Sequence, residues 1–181
     1  MALKDTLPPG RKPPHDVYAV IEVSQGSRVK YEVDSSDTVF VNRILFTSMF
    51  YPFNYGFIPQ TLDDDGDPLD ILVMGYEPLV PKAVIPCKPV GVLIMEDEEG
   101  VDNKILAVPA AEVDSRFAGA KEIKDLPPHT KEEISHFFMR YKELEPGKWV
   151  DVKKWGLAAD ARKEVLRSIE AYKKQAKKKK Q

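Results

Sequence analysis

The chain concentrates its carboxylates. Thr61 to Leu72 reads T-L-D-D-D-G-D-P-L-D-I-L, which places Asp63, Asp64, Asp65, Asp67 and Asp70 within eight residues. Carboxylates this close raise one another's proton affinity unless cations sit among them. Hard divalent ions such as Mg2+ favour oxygen-rich sites of this kind. Asp, Gly and Pro are also ordinary turn residues, so a solvated acidic turn is the plain alternative. Two details argue against it. Asp65-Gly66-Asp67-Pro68-Leu69-Asp70 spaces its acids at i, i+2 and i+5, with Gly66 permitting a sharp bend and Pro68 fixing the next φ. Asp70 also opens the apolar run Ile71-Leu72-Val73-Met74, a strand-like segment that holds it rigidly. A calcium-binding EF-hand loop fails on the same residues. With Gly66 at the loop glycine, Thr61 takes the first ligand position and Leu72 the twelfth, where a Glu is required.

Other polar residues stand where plain packing does not explain them. Lys30 and Glu32 share one face of the alternating segment Val29–Val33, which alone reads as a solvent-facing charge pair. Arg43 interrupts the apolar segment Thr38–Phe46 and needs an anionic partner or an exposed end. In the aromatic stretch Met49–Phe57 most rings read as core, whereas the Tyr55 phenol is placed to donate to an anion. A second acidic patch, Glu96 to Lys104, reads as a hairpin loop in which Asp102 and Lys104 share a face by period two. His136 is a lone helical histidine and reads as a packing or interface residue. No Ser or Cys nucleophile is paired with a His.

The elements that must carry these residues are short strands followed by late helices. Val17–Val23, Val29–Val33 and Thr38–Phe46 read as strands, as do Ala83–Ile85 and Val90–Met95, separated by Pro86-Cys87-Lys88-Pro89. Ile105–Val108 is a further strand. After Pro127-Pro128 the period changes to that of a helix with the stripe Ile134, Phe137, Phe138, Tyr141 and Leu144. Trp149 and Trp155 flank a short connection. A last helix runs from Asp160 to about Lys174, with Val165, Ile169 and Tyr172 inward. Met1–Asp16 holds four prolines and reads as an extended arm, and residues 175–181 as a frayed lysine-rich tail. The pattern predicts a mainly β, α+β fold: a closed β-barrel with two flanking helices, in one domain over residues 1–181.

Composition narrows the function classes. The chain has 181 residues, of which 43% are hydrophobic and 31% charged, as expected of a folded domain rather than a disordered one. A formal net charge of −2 provides no bulk attraction for nucleic acid or membrane. Cys87 is alone, so there is no disulfide framework. No apolar run nears the ~18 residues of a membrane span, and the first residues are not a signal peptide. A cytoplasmic protein is expected.

Taken together, Glu22, Glu32, Asp65, Asp67, Asp70, Asp97 and Asp102 accompany Lys30, Arg43, Lys104 and Lys142 and the phenols Tyr55 and Tyr141. Such a set suits a polyanionic substrate that arrives with metal ions. With diphosphate bound, roughly three to four Mg2+ bring the total near neutral. Two rivals remain: a non-catalytic oligonucleotide-binding barrel, which should be more basic along its groove, and a structural metal-binding module without turnover.

The motifs resemble those of the soluble, Mg2+-dependent inorganic pyrophosphatases of the first family. The resemblance runs from Val17 to about Tyr172. Its most specific part is D-G-D-P-L-D at Asp65–Asp70, supported by K-Y-E at Lys30, F-Y-P-F-N-Y-G at Phe50, P-V-G-V at Pro89 and H-F-F-M-R-Y-K at His136. It implies an oligonucleotide-binding-type (OB) barrel, a homohexamer and diphosphate hydrolysis with several Mg2+ per subunit. It also implies metal ligation by Asp65, Asp70 and Asp102, with Asp97 and Glu32 facing further ions, and a proton-accepting Asp67. Arg43, Tyr141 and Lys142 are implied as contacts to one phosphate, and Lys30, Tyr55 and Lys104 as the remaining contacts. The turn between Glu22 and Lys30 is a residue shorter than the family pattern, which places Glu22 behind the ligand-touching residues.

Overall fold

The structure, a computed structural model, describes residues 2–178. It is a mixed α+β fold with three helices and a sheet-dominated core. The strands are β1 (Val17–Val23), β2 (Val29–Val33), β3 (Val39–Ile44), β4 (Asn54–Phe57), β5 (Asp70–Val73), β6 (Val84–Asp97), β7 (Gly100–Val101), β8 (Lys104–Pro109) and β9 (Val150–Leu157). The helices are α1 (Leu3–Thr6), α2 (Pro128–Arg140) and α3 (Ala158–Lys178). The main sheet follows the order β1-β4-β5-β8-β6-β7; β6 also pairs with β1 and with β9. β2 and β3 form a separate two-stranded sheet. No helix among the described residues is long and apolar enough to cross a membrane.

Period-two alternation divides the apolar residues between two cores. Ile71, Val73, Ile105 and Ala107 point towards α3, where they meet Val165 and Ile169. Leu72, Met74, Leu106 and Val108 point the other way and meet Phe137 and Phe138 of α2. The register slips in β1 between Ile21 and Val23, and the side of the sheet flips there. Val17, Ala19 and Ile21 therefore belong to the α3 core and Val23 to the α2 core. Pro128 occupies the first turn of α2, where its missing N–H costs nothing. Its stripe Ile134, Phe137 and Phe138 is fully buried, so α2 cannot slide, and Tyr141 at its C-terminal cap is fixed in turn. Phe137 stacks on Tyr141 with centroids 5.1 Å apart.

Several elements depart from the sequence reading. Pro86 and Pro89 do not divide two strands; β6 runs unbroken for 14 residues. The register shift between Pro89 and Gly91 absorbs the second proline. The segment between the tryptophans is a strand, β9, paired with β6. The proline-rich arm contains the short helix α1. Leu144 lies beyond the end of α2 and is exposed. α3 begins at Ala158, two residues before Asp160, because the Asp160 carboxylate accepts the Leu157 N–H at 2.9 Å and Glu122 accepts that of Ala158 at 2.9 Å. It continues helical to Lys178, past the expected start of the tail; residues 179–181 lie outside the described residues.

Candidate active site

The strand register brings the charged residues to one end of the sheet. β5 and β8 run parallel with Asp70 opposite Lys104, so the two side chains start side by side. The β6–β7 hairpin pairs Asp97 with Gly100 and delivers Asp102 two residues before Lys104. Gly66, at φ 94°, turns the acidic loop back, and the Asp63 N–H donates to the Asp67 carbonyl at 2.7 Å to close it. The β2–β3 hairpin faces these elements from the other side, and the end of α2 supplies Tyr141 and Lys142.

These elements enclose a cavity of about 430 Å3. All twelve residues singled out as site residues line it: Lys30, Glu32, Arg43, Tyr55, Asp65, Asp67, Asp70, Asp97, Asp102, Lys104, Tyr141 and Lys142. Glu22 lines it as well, although the sequence placed it behind the site, and its carboxylate accepts the Val33 N–H at 2.9 Å.

The centre of the cavity is a buried lysine between two aspartates. Lys104, only 3% exposed, donates from Nζ to both Asp70 Oδ2 and Asp102 Oδ1. The Tyr55 hydroxyl donates to the same Asp70 oxygen at 2.5 Å. Burial pulls the ammonium pKa down, but Asp70 and Asp102 outweigh it and hold Lys104 protonated, above its ordinary value. Burial raises Asp102, with Lys104 opposing, and it raises Asp65 as well. Burial keeps the phenols of Tyr55 and Tyr141 neutral, well above and above their ordinary value respectively, so both remain donors. Glu22 is pushed up to about 8, chiefly by burial.

At the rim, Lys142 Nζ donates to Asp97 at 2.7 Å and Glu98 at 2.9 Å, and Lys148 reaches Glu98 at 2.6 Å. Although burial opposes it, the Lys148 and Lys142 bonds hold Glu98 down at about 2. Arg43 Nε donates to Glu145 at 2.8 Å, and Lys30 lies 3.3 Å from Glu32. Arg43 thus has the anionic partner that its apolar sequence surroundings required. Glu98, Lys148 and Glu145 were not singled out in the sequence. Glu98 was visible inside the second acidic patch, but nothing distinguished Glu145 from the other charged residues after α2.

The donor set is suited to a hard cation. Every acidic wall residue offers oxygen, the donor atom that such cations favour. Among the described residues, no three such side chains converge closely enough to hold one ion. The Lys104 ammonium stands between Asp70 and Asp102 instead.

The inorganic pyrophosphatase family matches residues 19–173. The inorganic pyrophosphatase of Aquifex pyrophilus is 54% identical over 96% of this chain and 98% of its own length. That of Aeropyrum pernix is 54% identical over 91% of this chain and 94% of its own length. The crystal structure of the Thermus thermophilus inorganic pyrophosphatase superposes with a TM-score of 0.90 at 46% identity, covering 94% of this chain and 98% of that one. The chain belongs to the inorganic pyrophosphatase family.

Proposed function

We propose that this protein hydrolyses inorganic diphosphate to two orthophosphates with a metal-activated water and without a covalent phosphoenzyme. The observation that carries this reading is the meeting of twelve residues, scattered from Lys30 to Lys142, around one cavity large enough for the substrate. Asp65, Asp70 and Asp102 would hold a first Mg2+, Asp70 being shared with a second. Asp97 with Asp102, and Glu32, would face two more. The ions would supply Lewis-acid polarisation and lower the pKa of ligated water towards ~7.

The protein groups have separate tasks. Asp67, exposed on the acidic loop, accepts the proton of the attacking water. Arg43, Lys142 and the neutral Tyr141 phenol would hold one phosphate, with Lys30, Lys104 and Tyr55 as the remaining contacts; such donors stabilise the charge that grows as the bridging bond breaks. Asp70 Oδ2 accepts from both Lys104 and Tyr55, so Asp70 would have to share its carboxylate between these donors and the ions it holds. An in-line displacement by water needs no protein nucleophile. Cys87, the one thiol, is buried, and burial pushes its pKa up, out of the reactive range.

The strand circuit β1-β4-β5-β8-β6, with β6 pairing back to β1, supports reading the sheet as a closed OB-type barrel in a single domain. Exposed Phe40, Val41, Ile44 and Phe46 supply apolar surface for a homohexamer, and a lone buried thiol suits the cytoplasm. A net charge of −2 argues against nucleic acid as ligand. The test is phosphate release from diphosphate with Mg2+, with chelator, and with Asp65→Asn and Asp67→Asn. Release without Mg2+, or undiminished in both variants, overturns the mechanism; no release at all overturns the function.

A further inference from the structure

Six cationic side chains line the cavity, and five of them are already engaged by carboxylates: Lys30, Arg43, Lys104, Lys142 and Lys148 each have one within 4.0 Å. The sixth is Lys4, which has no carboxylate within that distance among the described residues. Lys4 is half-buried in α1 and precedes residues 19–173, where the family match lies. We propose that Lys4 is a further substrate-binding residue, contributed by the N-terminal segment, that contacts a terminal phosphate oxygen of the diphosphate and of the phosphate product.

The segment is built to hold it there. The Leu3 N–H donates to Asp37 Oδ1 at 2.7 Å, tying α1 to the β2–β3 turn. The Lys4 carbonyl accepts the Gln60 N–H at 2.8 Å, and the Gln60 side chain donates to the Asp5 carbonyl at 3.1 Å, tying it to the start of the acidic loop. The Tyr172 hydroxyl donates to Asp5 at 2.9 Å, tying it to α3. Asp37 and Gln60 adopt left-handed backbone conformations, with φ of 60° and 51°, which side-chain-bearing residues adopt at a cost met by the surroundings. The backbone and Asp5 make these bonds, so the Lys4 ammonium is free of any part in anchoring its own segment. Nor must it give up a carboxylate when an anion enters. For the other five cations, binding phosphate means exchanging one anion for another.

The inference rests on the proposed function, and binding separates the two. Calorimetric titration of inorganic phosphate and of imidodiphosphate, in Mg2+ buffer, is compared for the unaltered protein, Lys4→Gln and Lys4→Arg. A charge-assisted contact at a partly exposed site predicts about 3- to 10-fold weaker binding for Lys4→Gln. Recovery to within about 2-fold is expected for Lys4→Arg, and the difference should shrink as salt is raised. Equal affinities for Lys4→Gln and the unaltered protein overturn the inference, as does a loss that Lys4→Arg fails to repair, which would mark a packing role. Weaker binding by Lys4→Gln alongside an unaltered protein that binds but does not hydrolyse diphosphate leaves the inference standing and removes the enzymatic reading. Failure of the unaltered protein to bind either anion removes both.

Discussion

The two walls of the cavity are built differently. Asp70 and Lys104 stand on strands locked between two cores, Asp102 sits in the two-residue link that leads into β8, and Lys104 is 3% exposed. Lys30, Glu32 and Arg43 stand on the two-stranded β2–β3 sheet, which pairs with no strand of the main sheet. That sheet leaves Phe40, Val41 and Ile44 exposed and is held by a few side-chain ties, such as Arg43 to Glu145. A buried ammonium between two carboxylates tolerates little displacement, so this cluster draws on the packing of the strands beside it. On the looser wall the partners differ: the carboxylate beside Lys30, Glu32, is exposed, whereas Glu145 beside Arg43 is buried. In the proposed mechanism the proton acceptor Asp67 belongs to the first wall, and Lys30 and Arg43 are the phosphate contacts of the hairpin wall.

Substitutions should expose that contrast, with the largest effects on the strand side. Asp67→Asn is expected to lower kcat by about 10²- to 10⁴-fold while Mg2+ and substrate still bind, as steady-state kinetics and calorimetry will show. Near-normal turnover removes Asp67 from its role as proton acceptor. Lys104→Met leaves two half-buried carboxylates without their shared cation, so the metal-free variant should lose about 3 kcal/mol of stability in chemical denaturation. Magnesium should restore more stability to it than it adds to the unaltered protein, because ions replace the missing ammonium. A variant as stable as the parent without metal would show that the cluster is less strained than its charges imply.

Glu22 tests the same wall through pH. Its folded pKa of about 8 lies above the ordinary carboxylate value, so the folded state holds a proton that the unfolded chain has released. Stability is therefore highest below the unfolded pKa and falls as pH rises towards 8, by a few kcal/mol at most. Glu22→Gln should flatten that slope in metal-free protein followed from pH 5 to 8. The smallest effect is expected on the hairpin wall. Glu145→Gln keeps an acceptor for the Arg43 Nε–H but removes a buried charge, so it should cost about 1–2 kcal/mol and raise KM a few-fold with kcat nearly unchanged. A collapse of kcat there would erase the distinction between the walls.

Much of this was legible in the residues because site chemistry and strand parity leave local signatures. D-G-D-P-L-D marked the acidic loop, and the shared face of Asp102 and Lys104 marked a pair in which Lys104 Nζ donates to Asp102 Oδ1. Elements with interrupted periodicity were less legible. β9 carries its half-buried apolar residues at Val150, Val152 and Trp155; the break in alternation coincides with the register shift between Ile94 and Met95 of its partner strand. Pro86 and Pro89 read as breakers, since a sequence does not show that their neighbours still find ladder partners on β1 and β8. Lys4 was not legible at all, because its place depends on three long-range hydrogen-bonded ties to Asp37, Gln60 and Tyr172.

The most direct measurement is a crystal structure of the protein grown with Mg2+ and imidodiphosphate. Asp65, Asp70 and Asp102 are predicted to share one ion, with Lys104 within hydrogen-bond distance of a phosphate oxygen. Electron density showing these three carboxylates too far apart to touch a common ion would contradict the account.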